Sequence, residues 1–199
     1  MHRLVLVIGG VRSGKSRFAQ ELAQRLGGDD VLFVATAEAG DDEMIRRIDH
    51  HRRARPDVWT TLEQPLGTGQ AIQDLQSSPA VILVDCLTLL VSNVLMQCDG
   101  DVSAAERRVT AETRALITAA QVQSATMIIV SGEVGQGLVP ETSLGRSFRD
   151  LLGWANQMLA AEADAVFSLV AGLAIDVKSL ALSPAQSARQ LLSQERRKP

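Results

Sequence analysis

Near the amino end, Gly9-Gly10-Val11-Arg12-Ser13-Gly14-Lys15-Ser16 follows the spacing G-x-x-x-x-G-K-[ST] without a mismatch. That pattern suits the gripping of nucleotide phosphates. Glycines let the backbone turn so that successive N–H groups converge on one anion. A helix starting at Lys15 adds its positive N-terminal dipole, Lys15 supplies a mobile point charge for the β- and γ-phosphates, and the Ser16 hydroxyl suits Mg²⁺. The flanks agree: Leu4–Ile8 is a β-branched apolar run, and Phe18, Ala19, Leu22 and Leu26 recur at helical spacing until Gly27-Gly28.

A loop of this kind calls for a carboxylate at the end of a neighbouring strand to support the Mg²⁺ shell. Ala80-Val81-Ile82-Leu83-Val84-Asp85 offers one, at the carboxyl end of a buried strand, where open sheets bind ligands. Asp85 also suits the cap of the helix that follows, and the two roles are compatible.

Of three histidines, two are adjacent, His50-His51, within a polar stretch that also holds Arg46, Arg47, Arg52, Arg53 and Arg55. On a helix, Arg46, Arg47 and Arg53 share a side with His50, so an imidazole would sit among guanidinium groups able to hold phosphates. This pattern admits a nucleophilic histidine, a base for another step, or simply a solvated helix face. A metal site there is disfavoured, because no third ligand has suitable spacing.

The elements that must position these groups alternate. Strands are predicted at Leu4–Ile8, Val31–Ala35, Ala80–Asp85, Thr126–Ser131 and Ala165–Ala171. Helices are predicted at Lys15–Leu26, Asp41–Arg55 (ended by Pro56), Leu87–Gln97, Ser103–Ala120 with a Ser cap, and Leu144–Ala163. Nearly unbroken apolar strands between helices imply an α/β fold with a mainly parallel central sheet covered on both faces. One domain over residues 1–183 is expected, followed by a polar tail, 184–199, forming a short helix that frays.

Composition narrows the classes further. The 199 residues are 46% hydrophobic with a net charge of −3, so neither nucleic acid nor an anionic membrane surface is expected as a partner. Tyr is absent and aromatics make up 3%, which leaves no base-stacking platform. Cys86 and Cys98 read as reduced thiols. The amino-terminal apolar run is too short for a signal peptide, and the run from Ala80 to Met96 is broken by Asp85, Thr88, Ser92 and Asn93. A soluble, cytoplasmic protein is expected.

With these residues in view, the chain resembles the bifunctional adenosylcobinamide kinase / adenosylcobinamide-phosphate guanylyltransferase family. The resemblance rests on Gly9–Ser16; on Ala35-Thr36-Ala37; and on Asp42-Glu43-Met44 through Arg47-Ile48, His50-His51 and Arg55-Pro56. It continues through Trp59, Thr61 and Glu63, Asp85-Cys86-Leu87-Thr88 with Asn93, Glu133–Glu141, and Arg146 to Gln157, so it spans residues 4 to about 178.

The resemblance implies a RecA-like P-loop fold and two activities. ATP or GTP would phosphorylate the aminopropanol hydroxyl of adenosylcobinamide, and GMP from GTP would then pass to that phosphate through a guanylylated His50. Lys15 would be the second catalytic residue. Nucleotide contacts would fall on Gly9, Gly10, Val11, Arg12, Ser13, Gly14, Lys15, Ser16, Ala35, Thr36, Ala37, His51, Arg52, Arg53, Ala54, Glu63 and Asp85. Mg²⁺ would be held by Ser16 and Asp85. Glu63, otherwise readable as an exposed loop acid, would accept N–H bonds from guanine, and the assembly would be a homotrimer. One departure matters: the family usually has Asn where Gly132 stands, so a side-chain hydrogen bond is missing there.

Two rival readings remain at this level. A plain P-loop kinase explains Gly9–Ser16 and Asp85 but leaves the His50 segment and Glu63 without work. A nucleotide switch would carry a base-reading N-K-x-D, which this chain lacks.

Overall fold

A computed structural model describes residues 3–38, 40, 46, 52 and 55–195, without the side chains of 193–195. Its strands are β1 (Arg3–Gly9), β2 (Val31–Ala35), β3 (Thr60–Glu63), β4 (Val81–Asp85), β5 (Thr126–Gly132), β6 (Ala165–Val170) and β7 (Leu173–Asp176). Its helices are α1 (Lys15–Gly27), α2 (Thr68–Gln73), α3 (Leu87–Met96), α4 (Val102–Val122), α5 (Ser143–Glu162), α6 (Val177–Leu180) and α7 (Pro184–Glu195).

The strands form one sheet in the order β3-β2-β4-β5-β1-β6-β7, parallel throughout except for the antiparallel β6–β7 pair. Strand side chains alternate between faces, and both faces are buried, which is why the strands read as unbroken apolar runs. Leu4, Leu6, Leu32, Val34, Ile82, Val84, Met127 and Ile129 pack beneath α2, α3, α4 and α5. Val5, Val7, Val31, Phe33, Val81, Leu83, Ile128 and Val130 face the other way, against Ala19 and Ala23 of α1 and against Trp59. The two-sided α/β sheet is therefore as expected.

Three expectations are corrected. The short edge strand β3 and helix α2 carry too little apolar patterning to stand out, and the apolar start of β7 follows β6 after only two residues, so it is not set apart as a separate strand. Helix α4 starts before Ser103: the Asp101 carboxylate caps it, accepting the Ala104 N–H at 2.9 Å. Cys86, not Asp85, takes the N-cap position of α3. The predicted helix over 41–55 lies mostly outside the described residues. The tail is helical over Pro184–Glu195, with Leu191 and Leu192 exposed. No described helix is long and apolar enough to cross a membrane.

Candidate active site

Six parallel strands bring their carboxyl ends to one edge, and the chemistry-bearing residues collect there. Gly9 ends β1 in register with Gly132 of β5. Ala35 ends β2 level with Glu63 on one side and Asp85 on the other. Adjacent strands lie about 4.8 Å apart, so Glu63, Ala35 and Asp85 form a row of roughly 10 Å.

One detail departs from expectation. Asp85 does not sit on a strand adjoining the P-loop strand, because β5 lies between β1 and β4. That order suits the RecA-like core that the resemblance implies. Asp85 is level with Val130, and Val130 with Val7, so the loop starts two residues beyond the Asp85 row.

The loop's glycines have separate reasons. A Cβ on Gly9 would come within 2.5 Å of Ser13 Oγ and 2.9 Å of the Leu169 carbonyl, so the loop folds back where only hydrogen fits. Gly14 takes φ of 95° as the N-cap of α1. Around Gly10 there is open space. Arg12 adopts φ of 58°, an uncommon value for a side-chain-bearing residue. Ser13 N–H donates to the Gly10 carbonyl at 3.2 Å, and Lys15 Nζ curls back to the same carbonyl at 3.3 Å. Helix α1 carries no side-chain N-cap bond and no acidic residue in its first turn, which leaves its orphan N–H groups for an anion. Val11, at the tip, is exposed.

Behind the row, side chains lock the strand ends together. Thr36 is fully buried; its Oγ1 accepts the Cys86 N–H at 2.7 Å and donates to the Cys86 carbonyl at 2.7 Å. Asn93 of α3 donates Nδ2 to the Thr36 carbonyl at 2.8 Å and to the Pro65 carbonyl at 3.1 Å. The Thr36 backbone is engaged as well, its N–H donating to the Asp85 carbonyl at 3.4 Å. The Asp85–Cys86 peptide is cis. Burial and the Asp85 charge push the Cys86 thiol up to about 11, so it is inert at neutral pH.

At the end of β5, Gly132 N–H donates to Thr88 Oγ1 at 2.6 Å, and its carbonyl accepts Asn156 Nδ2 at 3.0 Å. A Cβ there would stand 3.0 Å from Thr88 Oγ1. A side chain at this position therefore requires Thr88 to give by a few tenths of an ångström.

His50, His51, Arg53 and Ala54 lie outside the described residues. Arg52 and Arg55 are described. Arg52 pairs with Glu63 in the open, and Arg55 donates Nη1 to Thr61 Oγ1 at 3.3 Å. The Arg55 guanidinium also lies 4.0 Å from the centroid of the Phe33 ring. Burial lowers the Arg55 pKa, with Arg52 adding to the effect, while Asp85 and Glu63 act the other way. Sequence reasoning counted Arg55 but gave it no role, and Asn93 likewise. An amide inside the apolar helix Leu87–Met96 was the available signal for Asn93.

The donor set fits a hard divalent cation. Ser16 and Asp85 offer only oxygens, and Mg²⁺ takes few protein ligands beside substrate phosphates. No cluster of three or more metal-ligating side chains occurs among the described residues.

Strand order, the glycine-rich turn and the uncapped start of α1 define a P-loop nucleotide-binding α/β protein. A family model described as cobinamide kinase / cobinamide phosphate guanyltransferase matches residues 5–177, and the chain belongs to that family. The bifunctional adenosylcobalamin biosynthesis protein CobU of Escherichia coli (strain K12) is 41% identical, across 88% of this chain and 99% of its own length. CobU of Salmonella typhimurium has the same identity and coverage. CobP of Pseudomonas aeruginosa is 41% identical over 87% of this chain and 96% of its own. Among solved structures, the ATPase domain of G40P covers 84% of this chain and 69% of that one, at 16% identity and a TM-score of 0.46, too loose a likeness to argue from.

Proposed function

We propose that one nucleotide cradle at the carboxyl edge of the sheet serves both activities of the family, cobinamide phosphorylation and guanylyl transfer, with His50 as the guanylyl carrier. In the kinase step the aminopropanol hydroxyl of adenosylcobinamide attacks the γ-phosphorus of a nucleoside triphosphate. The bond to the β–γ bridging oxygen breaks, the diphosphate leaves and the hydroxyl proton is released. In the second reaction the neutral imidazole of His50 attacks the α-phosphorus of GTP and pyrophosphate leaves. A phosphate oxygen of adenosylcobinamide phosphate then displaces the histidine, giving adenosylcobinamide-GDP.

Splitting the transfer in two makes each displacement easier. The loop amides, Lys15 and Arg12 hold and neutralise the phosphates, which is most of what phosphoryl transfer requires. Bound Mg²⁺, held by Ser16 and supported by Asp85, would supply further charge neutralisation. Glu63, an acceptor-only carboxylate, suits the N–H edge of guanine and would leave Arg52 when the base arrives.

The observation that carries this reading is that Glu63, Ala35 and Asp85 end level on the edge of the sheet that also holds the P-loop, where they would read the base, offer a backbone shelf and support the metal. A plain kinase would account for Asp85 but would give Glu63 no purpose. The homotrimer implied by the resemblance belongs to the same proposal.

The test is a pair of incubations with adenosylcobinamide. Label in the γ-position should appear on adenosylcobinamide phosphate, and label in the α-position of GTP on a later product. Lys15→Met should abolish both. A chain that makes the first product and never the second is a kinase only.

A further inference from the structure

We propose that the turn Ala171-Gly172, joining β6 to β7, is a strut that presets the phosphate-binding loop, with the Gly172 amide as a positioning group for the triphosphate. The inference rests on the nucleotide-binding reading above and adds a residue far from the loop in sequence.

The turn is a tight one. Val170 pairs with Leu173, leaving only Ala171 and Gly172 between the strands, at φ of 51° and 84°. Two successive positive φ values mark a type I′ turn, the geometry that matches the twist of antiparallel strands. The turn's apex lies against the P-loop. Gly172 N–H donates to the Ser13 carbonyl at 2.8 Å, and a Cβ on Gly14 would stand 3.2 Å from Gly172 Cα. The end of β6 also bears on the start of the loop, where a Cβ on Gly9 would meet the Leu169 carbonyl at 2.9 Å.

The consequence follows from the peptide unit. The Ser13 carbonyl and the Gly14 N–H belong to one trans peptide and point in opposite directions. A tie that draws the carbonyl towards the hairpin therefore turns the Gly14 N–H away from it, towards the side on which a P-loop cradles phosphate. Gly14 is free to take either sign of φ, so this peptide would otherwise flip cheaply. The hairpin removes that freedom before the ligand arrives, and binding gains by not having to order the loop.

Strand β7 has little else to do. It lies at the sheet edge, and Leu173, Ala174 and Ile175 are all exposed. Besides the turn it closes, its last residue, Asp176, caps α6 by accepting the Ser179 N–H at 3.2 Å.

The experiment compares three full-length chains in a GTP titration with Mg²⁺. Ala171→Asn keeps the two-residue turn with the favoured Asn-Gly pair, and its Kd should equal that of the wild type. A single Gly inserted between Ala171 and Gly172 displaces the amide, and its Kd for GTP should rise about tenfold. The nucleotide KM should rise with it while kcat stays within about twofold, the mark of lost uniform binding.

An inserted variant with wild-type Tm and unchanged Kd overturns the strut. A wild-type chain that binds no GTP overturns the nucleotide reading instead. Should the inserted variant fail to fold, amide exchange in the wild-type protein decides. The Gly172 amide should be protected in the free chain and further slowed by GTP, and exchange at the rate of an open peptide in both states refutes the proposal.

Discussion

Replacing Thr36 by Val keeps the shape and deletes the hydroxyl that clasps Cys86, a change whose cost can be worked from the hydrogen bonds. The Oγ1 makes two bonds at 2.7 Å, one from the Cys86 N–H and one to its carbonyl. The carbonyl keeps a second partner, the Leu90 N–H at 3.2 Å. The amide loses the hydroxyl, and Thr36 itself is fully buried, so water cannot enter without disturbing the packing. An orphaned buried donor costs about 1–3 kcal/mol and a lost second bond about 0.5–1.5 kcal/mol, for a total of roughly 2–4 kcal/mol. In a chain of this size that is a fall in Tm of roughly 5–15 °C. Thermal unfolding of Thr36→Val beside Thr36→Ser is the assay, because the serine keeps both bonds and loses only a methyl. A valine variant within about 1 kcal/mol of wild type, or no worse than the serine, would refute the reasoning that this hydroxyl ties β2 to β4.

Other consequences can be checked alongside. Glu63→Gln should weaken GTP binding by roughly 10–100-fold and leave ATP binding unchanged, since a carboxylate lost from a base-reading site removes charge-assisted bonds. Its stability should change by less than about 1 kcal/mol, because the Arg52 and Glu63 side chains are 51% and 61% exposed. Lys15→Met should raise the Kd for GTP at least about a hundredfold with little change in Tm, because among the described residues its ammonium makes a hydrogen bond only to the Gly10 carbonyl, at 3.3 Å. Cys86 gives a pH dependence: its thiol rises from 9.0 to about 11, so the unfolded chain releases this proton first. That contribution to stability is complete below about pH 9 and is lost as pH rises through 11; denaturation midpoints of Cys86→Ala across that range should fall less steeply than those of the wild type.

Much of this was legible in the residues. The five apolar strands could be seen because β1, β2, β4 and β5 are buried on both faces and β6 in part, and the P-loop because its spacing is mechanical. Glu63 was harder. It ends a four-residue edge strand whose threonines and glutamate face solvent, so no apolar run announces β3, and only pairing with β2 brings the carboxylate level with Ala35. The position of Asp85 two strands from β1 is a matter of strand order, which a linear pattern does not encode. The cap of α4 went to Asp101 rather than Ser103 because both residues suit the role and the local turn decides. Strand β7 was missed for a different reason: its Leu-Ala-Ile is apolar, but only two residues part it from β6, so the linear pattern does not separate the two.

The central claim, that a nucleotide gripped at Gly9–Ser16 hands its guanylyl group to His50, is tested most directly by trapping the carrier. The chain is incubated with Mg²⁺ and GTP labelled at the α-phosphorus, without cobinamide, and the protein is recovered and digested. Label should be found on the peptide containing His50, labile to acid and stable to alkali, and absent from His50→Ala. Label that persists in the alanine variant, or a wild-type chain that turns over both substrates without ever acquiring it, would contradict the account.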